Sequence, residues 1–101
     1  MAAFHMATCK LKEGQLDSAI EEFKRCEAVR PSPEIYDGLG CCYHADQKYD
    51  LAIANFNLAI KGEPRNVQFY KNRAQCFFEN LRYESCIADL QHALEINQAD
   101  A

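Results

Sequence analysis

The sequence predicts an all-α fold built from three stacked helix-turn-helix hairpins. The first observation behind this prediction is a repeat: the pattern of residues 36–59 returns 34 residues later, so that Cys42 recurs as Cys76. The second is that an offset of 33 relates the start of the chain to the same pattern, with Cys9 matching Cys42. A period in this range is typical of helical hairpins that bury their apolar faces only by stacking on one another.

The composition is that of an ordinary globular protein. The 101 residues are 49% hydrophobic and 26% charged, and we expect one soluble domain over residues 1–101. The net charge is −4 and the two signs are intermixed, so the chain lacks the basic surface that nucleic acid requires. Apolar runs of membrane-spanning length and a signal-peptide pattern are also lacking. We therefore expect neither nucleic acid nor a membrane as a partner.

The first unit occupies about residues 1–32. Helical spacing of its apolar residues predicts helices over Ala2–Glu13 and Leu16–Val29, with Gly14 at the turn between them. This unit is one residue shorter than the others. We place the missing residue in the link Arg30–Glu34, because a loop absorbs a deletion more easily than a helix does.

The second unit occupies residues 33–66 and has the clearest signals for where its helices begin and end. Pro33 is suited to the first turn of a helix, since its fixed φ is helical and its missing N–H is not needed there. The polar stretch Asp46–Lys48 interrupts the apolar pattern and predicts a turn. A second helix is expected from about Tyr49 until shortly before Pro64.

The third unit occupies residues 67–100 and repeats this organisation. The pattern predicts helices over Val67–Glu79 and Tyr83–Ile96. Leu81 stands in the turn, where a glycine would be more usual.

The six cysteines are placed for packing. Cys9, Cys42 and Cys76 occupy the same place in successive units, while Cys26 and Cys86 stand where the other units carry alanine. A free thiol behaves as a small hydrophobic group, and small residues let two helices approach closely. We expect reduced thiols and, with them, a reducing intracellular compartment such as the cytoplasm.

The second unit carries Tyr36-x-x-Leu39-Gly40-x-x-Tyr43, followed by Ala52, Phe56, Ala59 and Pro64. With these residues it resembles the tetratricopeptide repeat (TPR) family. The first and third units match less completely. The resemblance implies a right-handed α-solenoid whose concave groove is lined by the first helix of each pair. It also implies a scaffold or adaptor that binds segments of partner proteins there, without catalytic residues or cofactors.

The resemblance also predicts which residues face the groove. Two of them, Gly38 and Cys41, are small and are expected to leave room for a bulky partner side chain. The candidate partner-binding residues are Phe4, His5, Thr8, Asp37, Gly38, Cys41, His44, Lys71, Asn72, Gln75 and Phe78.

Some members of the family clamp the terminal carboxylate of chaperone tails with lysine, asparagine and arginine side chains. The stretch around Lys71 and Asn72 resembles the middle repeat of such a clamp. In that register, however, Asp37 and Cys41 replace the preceding lysine and asparagine, and an acid there would repel a carboxylate. A chaperone-tail clamp therefore stays a lesser alternative to a plain polar groove.

Cys41 and His44 lie one helical turn apart and raise two further alternatives. A zinc site normally needs four ligands, and no third or fourth is evident beside this pair. A Cys41 nucleophile with His44 as its base lacks an orienting partner and an oxyanion donor. We expect neither a metal site nor catalysis.

The last helix carries the apolar residues Ile87, Leu90, Leu94 and Ile96, with few residues after it. In a stacked array such a face is covered by the next unit. Two interpretations follow. The chain is an excerpt of a longer protein, which we favour, or the face pairs with a partner helix or with a second copy in a structural assembly.

Overall fold

The computed structural model describes the backbone of residues 2–100 and the side chains of residues 6–98, and it contains six helices and no strand within that range. The all-α prediction is confirmed. Five of the six helices lie within a residue or two of the predicted ranges, and the last one continues past Ile96. The helices are α1 (Ala2–Lys12), α2 (Leu16–Val29), α3 (Pro33–Ala45), α4 (Tyr49–Gly62), α5 (Val67–Glu79) and α6 (Tyr83–Asp100). None of these combines the length and apolar character needed to cross a bilayer.

The first helices of the second and third hairpins begin at side-chain caps. The hydroxyl of Ser32 accepts a hydrogen bond from the Ile35 N–H at 3.4 Å, and Pro33 takes up the first helical position. At the start of α5, the Asn66 side chain accepts from the Gln68 N–H at 3.1 Å. Each cap satisfies a backbone donor that the helix itself leaves without a partner.

All three hairpins turn in the same way. After α3, the Lys48 N–H donates to the Tyr43 carbonyl at 2.8 Å across a residue in the left-handed region. The left-handed residue is Gly14 in the first hairpin (φ +82°), Gln47 in the second (φ +62°) and Leu81 in the third (φ +62°). Glycine adopts this conformation freely, but a leucine side chain crowds its own backbone there. The predicted irregularity at Leu81 is therefore a strained backbone position.

The length difference between units lies in the links. Helices α2 and α4 have the same length of 14 residues. The link between α2 and α3 spans residues 30–32, whereas the link between α4 and α5 spans residues 63–66. The one-residue deletion is thus in the predicted link, and the helices keep their register.

Phenylalanines of the second helices anchor the stack. Phe23 and Phe56 are fully buried, and each ring lies against a glycine of α3. Helix α1 contacts α3, and α3 contacts α5, whereas α2, α4 and α6 make no such contacts with one another over residues 2–100. The first helices therefore lie closer together and line the inner face.

The cysteines pack largely as predicted. Cys42 and Cys76 are fully buried and Cys86 nearly so, while Cys26 is half-buried against the first core cluster. Cys9 occupies the same place in α1 but is exposed, because no helix among residues 2–100 covers that side of α1. All six are free thiols.

Candidate partner-binding groove

The inner face between α3 and α5 is cross-linked by a chain of polar side chains. Asn72 lies on α5 and donates its Nδ2–H to Asp37 Oδ1 on α3 at 2.8 Å. The same Nδ2 lies 4.0 Å from Cys41 Sγ, and Gln68 Nε2 donates to Asn72 Oδ1 at 2.8 Å. Both ends of the Asn72 amide are therefore engaged within the chain.

Asp37 is held in an environment that disfavours its charge. Burial raises the pKa of this carboxyl, the negative charge of Glu34 one turn earlier adds to the increase, and the hydrogen bond from Asn72 opposes it. Burial, followed by the charge of Asp37, also raises the pKa of the Cys41 thiol to about 12. The thiol thus stays protonated near neutral pH, which argues against a nucleophilic Cys41.

A second polar cross-link joins the other ends of α3 and α5. His44 Nε2 lies 2.9 Å from Glu79 Oε2, and Gln75 Nε2 donates to the same oxygen at 2.8 Å. These hydrogen bonds, that from Gln75 first, lower the pKa of Glu79. His44 thereby contacts the carboxylate of Glu79 on α5, and its ring also lies against Tyr49 with ring centres 6.0 Å apart. Across residues 6–98, no group of three potential ligands that could hold a metal ion occurs.

Sequence reasoning identified most of these residues but not their pairing. Asp37 with Asn72 and His44 with Glu79 are both separated by 35 residues. This separation is one more than the repeat period, because neighbouring first helices are staggered and do not place equivalent residues opposite each other. The sequence pattern also places Glu79 on the inner face, whereas Gln68 was not among the candidate groove residues. A search for polar pairs one residue beyond the period would have found the pairing of His44 with Glu79.

Gly38 does not leave room for a partner. It is buried, and a Cβ placed on it would lie 2.5 Å from the Phe23 ring of the first hairpin. The expectation of an open space at this position is wrong, because the Phe23 ring already fills it. Cys41 is half-buried beside Asn72, so the centre of the groove is occupied by the chain's own side chains.

The remaining candidates differ in accessibility. Lys71 and Gln75 are exposed on α5, and Phe78 is 48% exposed with its ring edge-on to Tyr83 at 5.6 Å between centres. Thr8 is half-buried on α1. The side chains of Phe4 and His5 lie outside the described residues. The structure therefore brings together the candidates of α3 and α5.

Comparison with known families settles the fold family. The tetratricopeptide repeat model matches residues 2–33 and 33–66, which are more than half of the chain. The chain belongs to the tetratricopeptide repeat family. The third hairpin lies outside the matched residues, and it departs from the TPR pattern with Arg73 in the place of leucine and Leu90 in the place of an aromatic residue. It nevertheless forms the same helix pair.

A curated relative is the Hsc70-interacting protein 1 of Drosophila melanogaster. The two are 39% identical over 71 residues, which are 70% of this chain and 19% of the Drosophila protein. The match thus spans about a fifth of that relative. It concerns a shared repeat segment rather than a whole protein.

Solved structures share the fold at lower identity. The Yersinia enterocolitica type III secretion chaperone SycD, in complex with a peptide of the translocator YopD, aligns with a TM-score of 0.88 and 21% identity, covering 94% of this chain and 73% of that one. MamA aligns with a TM-score of 0.90 and 18% identity, covering 98% and 58%. The likeness is to TPR solenoids and confirms the right-handed stack with a concave face.

Proposed function

We propose that this chain binds a segment of a partner protein on the inner face between α3 and α5. The TPR fold supports protein–protein interaction. The observation that carries the choice of surface is the pair of polar cross-links, Asp37 with Asn72 and His44 with Glu79, which fix α3 against α5. A surface whose side chains are already positioned loses little conformational entropy when a partner binds.

The charges on this face favour a partner with hydrogen-bond donors. Asp37 uses Oδ1 toward Asn72, and Glu79 uses Oε2 toward His44 and Gln75. Each carboxylate has a second oxygen, which is suited to N–H groups or to a lysine or arginine of the partner. Exposed Phe78 at the edge supplies an apolar contact of the kind that often dominates binding energy.

The chaperone-tail alternative rests on the relatives. The Drosophila relative is named for its interaction with Hsc70. In this chain, the amide that would hold a terminal carboxylate belongs to Asn72, and it donates to Asp37 instead. An incoming carboxylate would therefore meet a half-buried negative charge. We expect no measurable binding of an acidic C-terminal chaperone peptide, and binding that is lost in Asn72→Ala would favour the clamp.

The test of groove binding uses two charge reversals at exposed glutamates. Glu79→Lys replaces an acceptor of the inner face by a positive charge, and Glu21→Lys makes the same change on α2, away from it. Wild type and both variants, checked to be equally folded by circular dichroism, serve as baits for affinity capture read by quantitative mass spectrometry. We expect Glu79→Lys alone to lose the partner, because the new charge repels the donors that the inner-face carboxylates favour.

The captured partner is then measured directly by calorimetry with the purified chain. We expect the Kd to rise at least about tenfold for Glu79→Lys and to stay unchanged for Glu21→Lys. Capture of the same partners by all three baits would contradict the proposal. Phe78 is left unchanged in this experiment because it borders α6, which carries a different surface. The thiols in the chain make a reducing cytoplasmic setting our proposed location.

A further inference from the structure

The two polar cross-links of the inner face are set apart by a fixed distance. Asp37 and His44 on α3 are seven residues apart, and so are their partners Asn72 and Glu79 on α5. Seven residues make about two turns of a helix, which return to the same face and advance about 10 Å. The carboxylates of Asp37 and Glu79 are therefore two separate contact points on one face.

Neutral amides hold both carboxylates in place. Asp37 accepts from the Asn72 side chain, and Glu79 accepts from the Gln75 side chain. An amide positions a carboxylate without neutralising it, and the nearby charge of Glu34 adds to the negative potential at Asp37. A lysine or arginine of the partner would form a charge-assisted hydrogen bond at each point, which is stronger than a bond between neutral groups.

One positive charge of α5 lies on the same face. Lys71 is exposed beside Asn72. A lysine side chain has a flexible four-carbon stem, so its charge can move away from an arriving cation. Its ammonium group is then suited to a backbone carbonyl of the bound segment.

The polar character of this face favours an extended segment over a helix. An amphipathic helix docks by laying an apolar stripe into an apolar groove. Here Asn72 and Gln75 lie between the cross-linked helices, and the exposed Phe78 lies only at the edge. An extended segment instead offers backbone N–H and carbonyl groups, which polar side chains such as that of Gln75 bind.

We propose that the partner segment is extended and basic, with two lysine or arginine residues three positions apart. A polyproline II backbone has three residues per turn and rises about 3.1 Å per residue, so these two side chains point the same way about 9 Å apart. This distance is close to that between the cross-links, and one cation meets Asp37 while the other meets Glu79. The inference rests on the groove binding proposed above and specifies what the groove recognises.

A model peptide tests this recognition without the natural partner. The probe is acetyl-Gly-Ser-Arg-Pro-Pro-Arg-Ser-Gly-amide, in which the prolines hold the polyproline II conformation. Its affinity for the whole chain is measured by NMR titration at low salt. Replacing one arginine by serine should weaken binding about five- to tenfold, and shortening the spacing by one proline should weaken it at least about threefold. The peptide with two glutamates in place of the arginines should not bind.

Variants of the chain assign the contacts. Asp37→Asn and Glu79→Gln each remove one charge with little change of shape, and each should weaken the arginine peptide about five- to tenfold. The control Glu21→Gln on α2 should leave its affinity unchanged. Carboxyl NMR adds a readout that a purely structural role of Asp37 would not move. The pKa of Asp37 should fall when the peptide binds, because a nearby cation favours the charged carboxylate.

The outcomes separate this inference from groove binding itself. An arginine peptide that does not bind, or binds no better than the glutamate peptide, overturns the inference. Equal affinity for wild type, Asp37→Asn and Glu79→Gln overturns it too. A captured partner that is lost on Glu79→Lys, but whose bound segment has no pair of basic residues, leaves groove binding intact and refutes the basic segment. A captured partner that is retained by Glu79→Lys refutes groove binding.

Discussion

Replacing Arg73 by leucine tests how the third hairpin tolerates a charge at a core position. The second hairpin has buried Leu39 at the equivalent place. Arg73 donates from Nε to Asp89 Oδ2 at 2.8 Å and from Nη2 to Asp89 Oδ1 at 2.6 Å, a two-pronged pair. Its Nη1 donates to Asn57 of α4 at 2.7 Å. One side chain thus ties α5 to both α4 and α6.

The expected loss follows from burial of the pair. The side chains of Arg73 and Asp89 are 20% and 8% exposed. Removing one partner of a buried ion pair costs about 3–5 kcal/mol, because the remaining charge stays buried alone. Leucine keeps part of the packing of the arginine stem, so we expect Arg73→Leu to lower the free energy of unfolding by about 2–4 kcal/mol. This is a large fraction of the stability of a small domain, about 5–15 kcal/mol.

Two further variants separate charge from packing. Adding Asp89→Asn to Arg73→Leu removes the isolated charge and should recover about 1–2 kcal/mol. Arg73→Lys keeps the charge but loses the two-pronged geometry, and should cost about 1–2 kcal/mol. Urea denaturation followed by far-UV circular dichroism measures all of them. The reasoning is refuted if Arg73→Leu is as stable as wild type, or if the double variant is less stable than Arg73→Leu alone.

Three other substitutions have defined outcomes. Leu81→Gly should raise the free energy of unfolding by about 1 kcal/mol, because it relieves a backbone at φ +62°, and a lower melting temperature would contradict this. Gly38→Ala should destabilise the chain by about 1–2 kcal/mol in urea, since its methyl group would lie 2.5 Å from the Phe23 ring, and adding Phe23→Leu should recover part of the loss. Asp37→Asn should stabilise the chain at neutral pH. The pKa of Asp37 is raised in the folded chain, so ionisation of this carboxyl lowers the free energy of unfolding as pH rises from the unfolded pKa of about 3.9 through the folded pKa. Below about pH 4 the carboxyl is protonated in both states, and the stabilisation by Asp37→Asn should shrink there. Melting temperatures measured across pH check this.

The helices were predictable because several local signals coincide with the repeat. Gly14 marks the first turn, Pro33 begins α3, and Pro64 follows the end of α4. The end of α6 was placed too early, at Ile96 instead of Asp100. The third unit has Gln98 where the second has its proline, so nothing in the chain stops the helix there.

The groove was predictable only in outline. A repeat period shows which residues are equivalent, and so which of them share the inner face. The repeat period does not give the stagger of adjacent helices. This stagger decides that Asn72 contacts Asp37 rather than Gly38, the residue of α3 that is equivalent to Asn72. The same limit explains the error at Gly38. Both sides of α3 are covered, and the sequence pattern does not tell which neighbour fills the space beside a glycine.

If the inner face binds a partner as proposed, the positions where the repeats differ are expected to decide what it recognises. Phe23 and Phe56 agree between repeats, and both only hold the stack together. Gly38 and Asn72 occupy equivalent positions but make different contacts. Gly38 packs against the Phe23 ring, and Asn72 donates a hydrogen bond to Asp37 across the groove. A face built from repeated residues would let a partner bind in several registers shifted by one repeat. The cross-links of Asp37 with Asn72 and of His44 with Glu79 join α3 to α5. If a partner binds there as proposed, we expect these non-equivalent residues, rather than the repeat itself, to fix its register and its specificity.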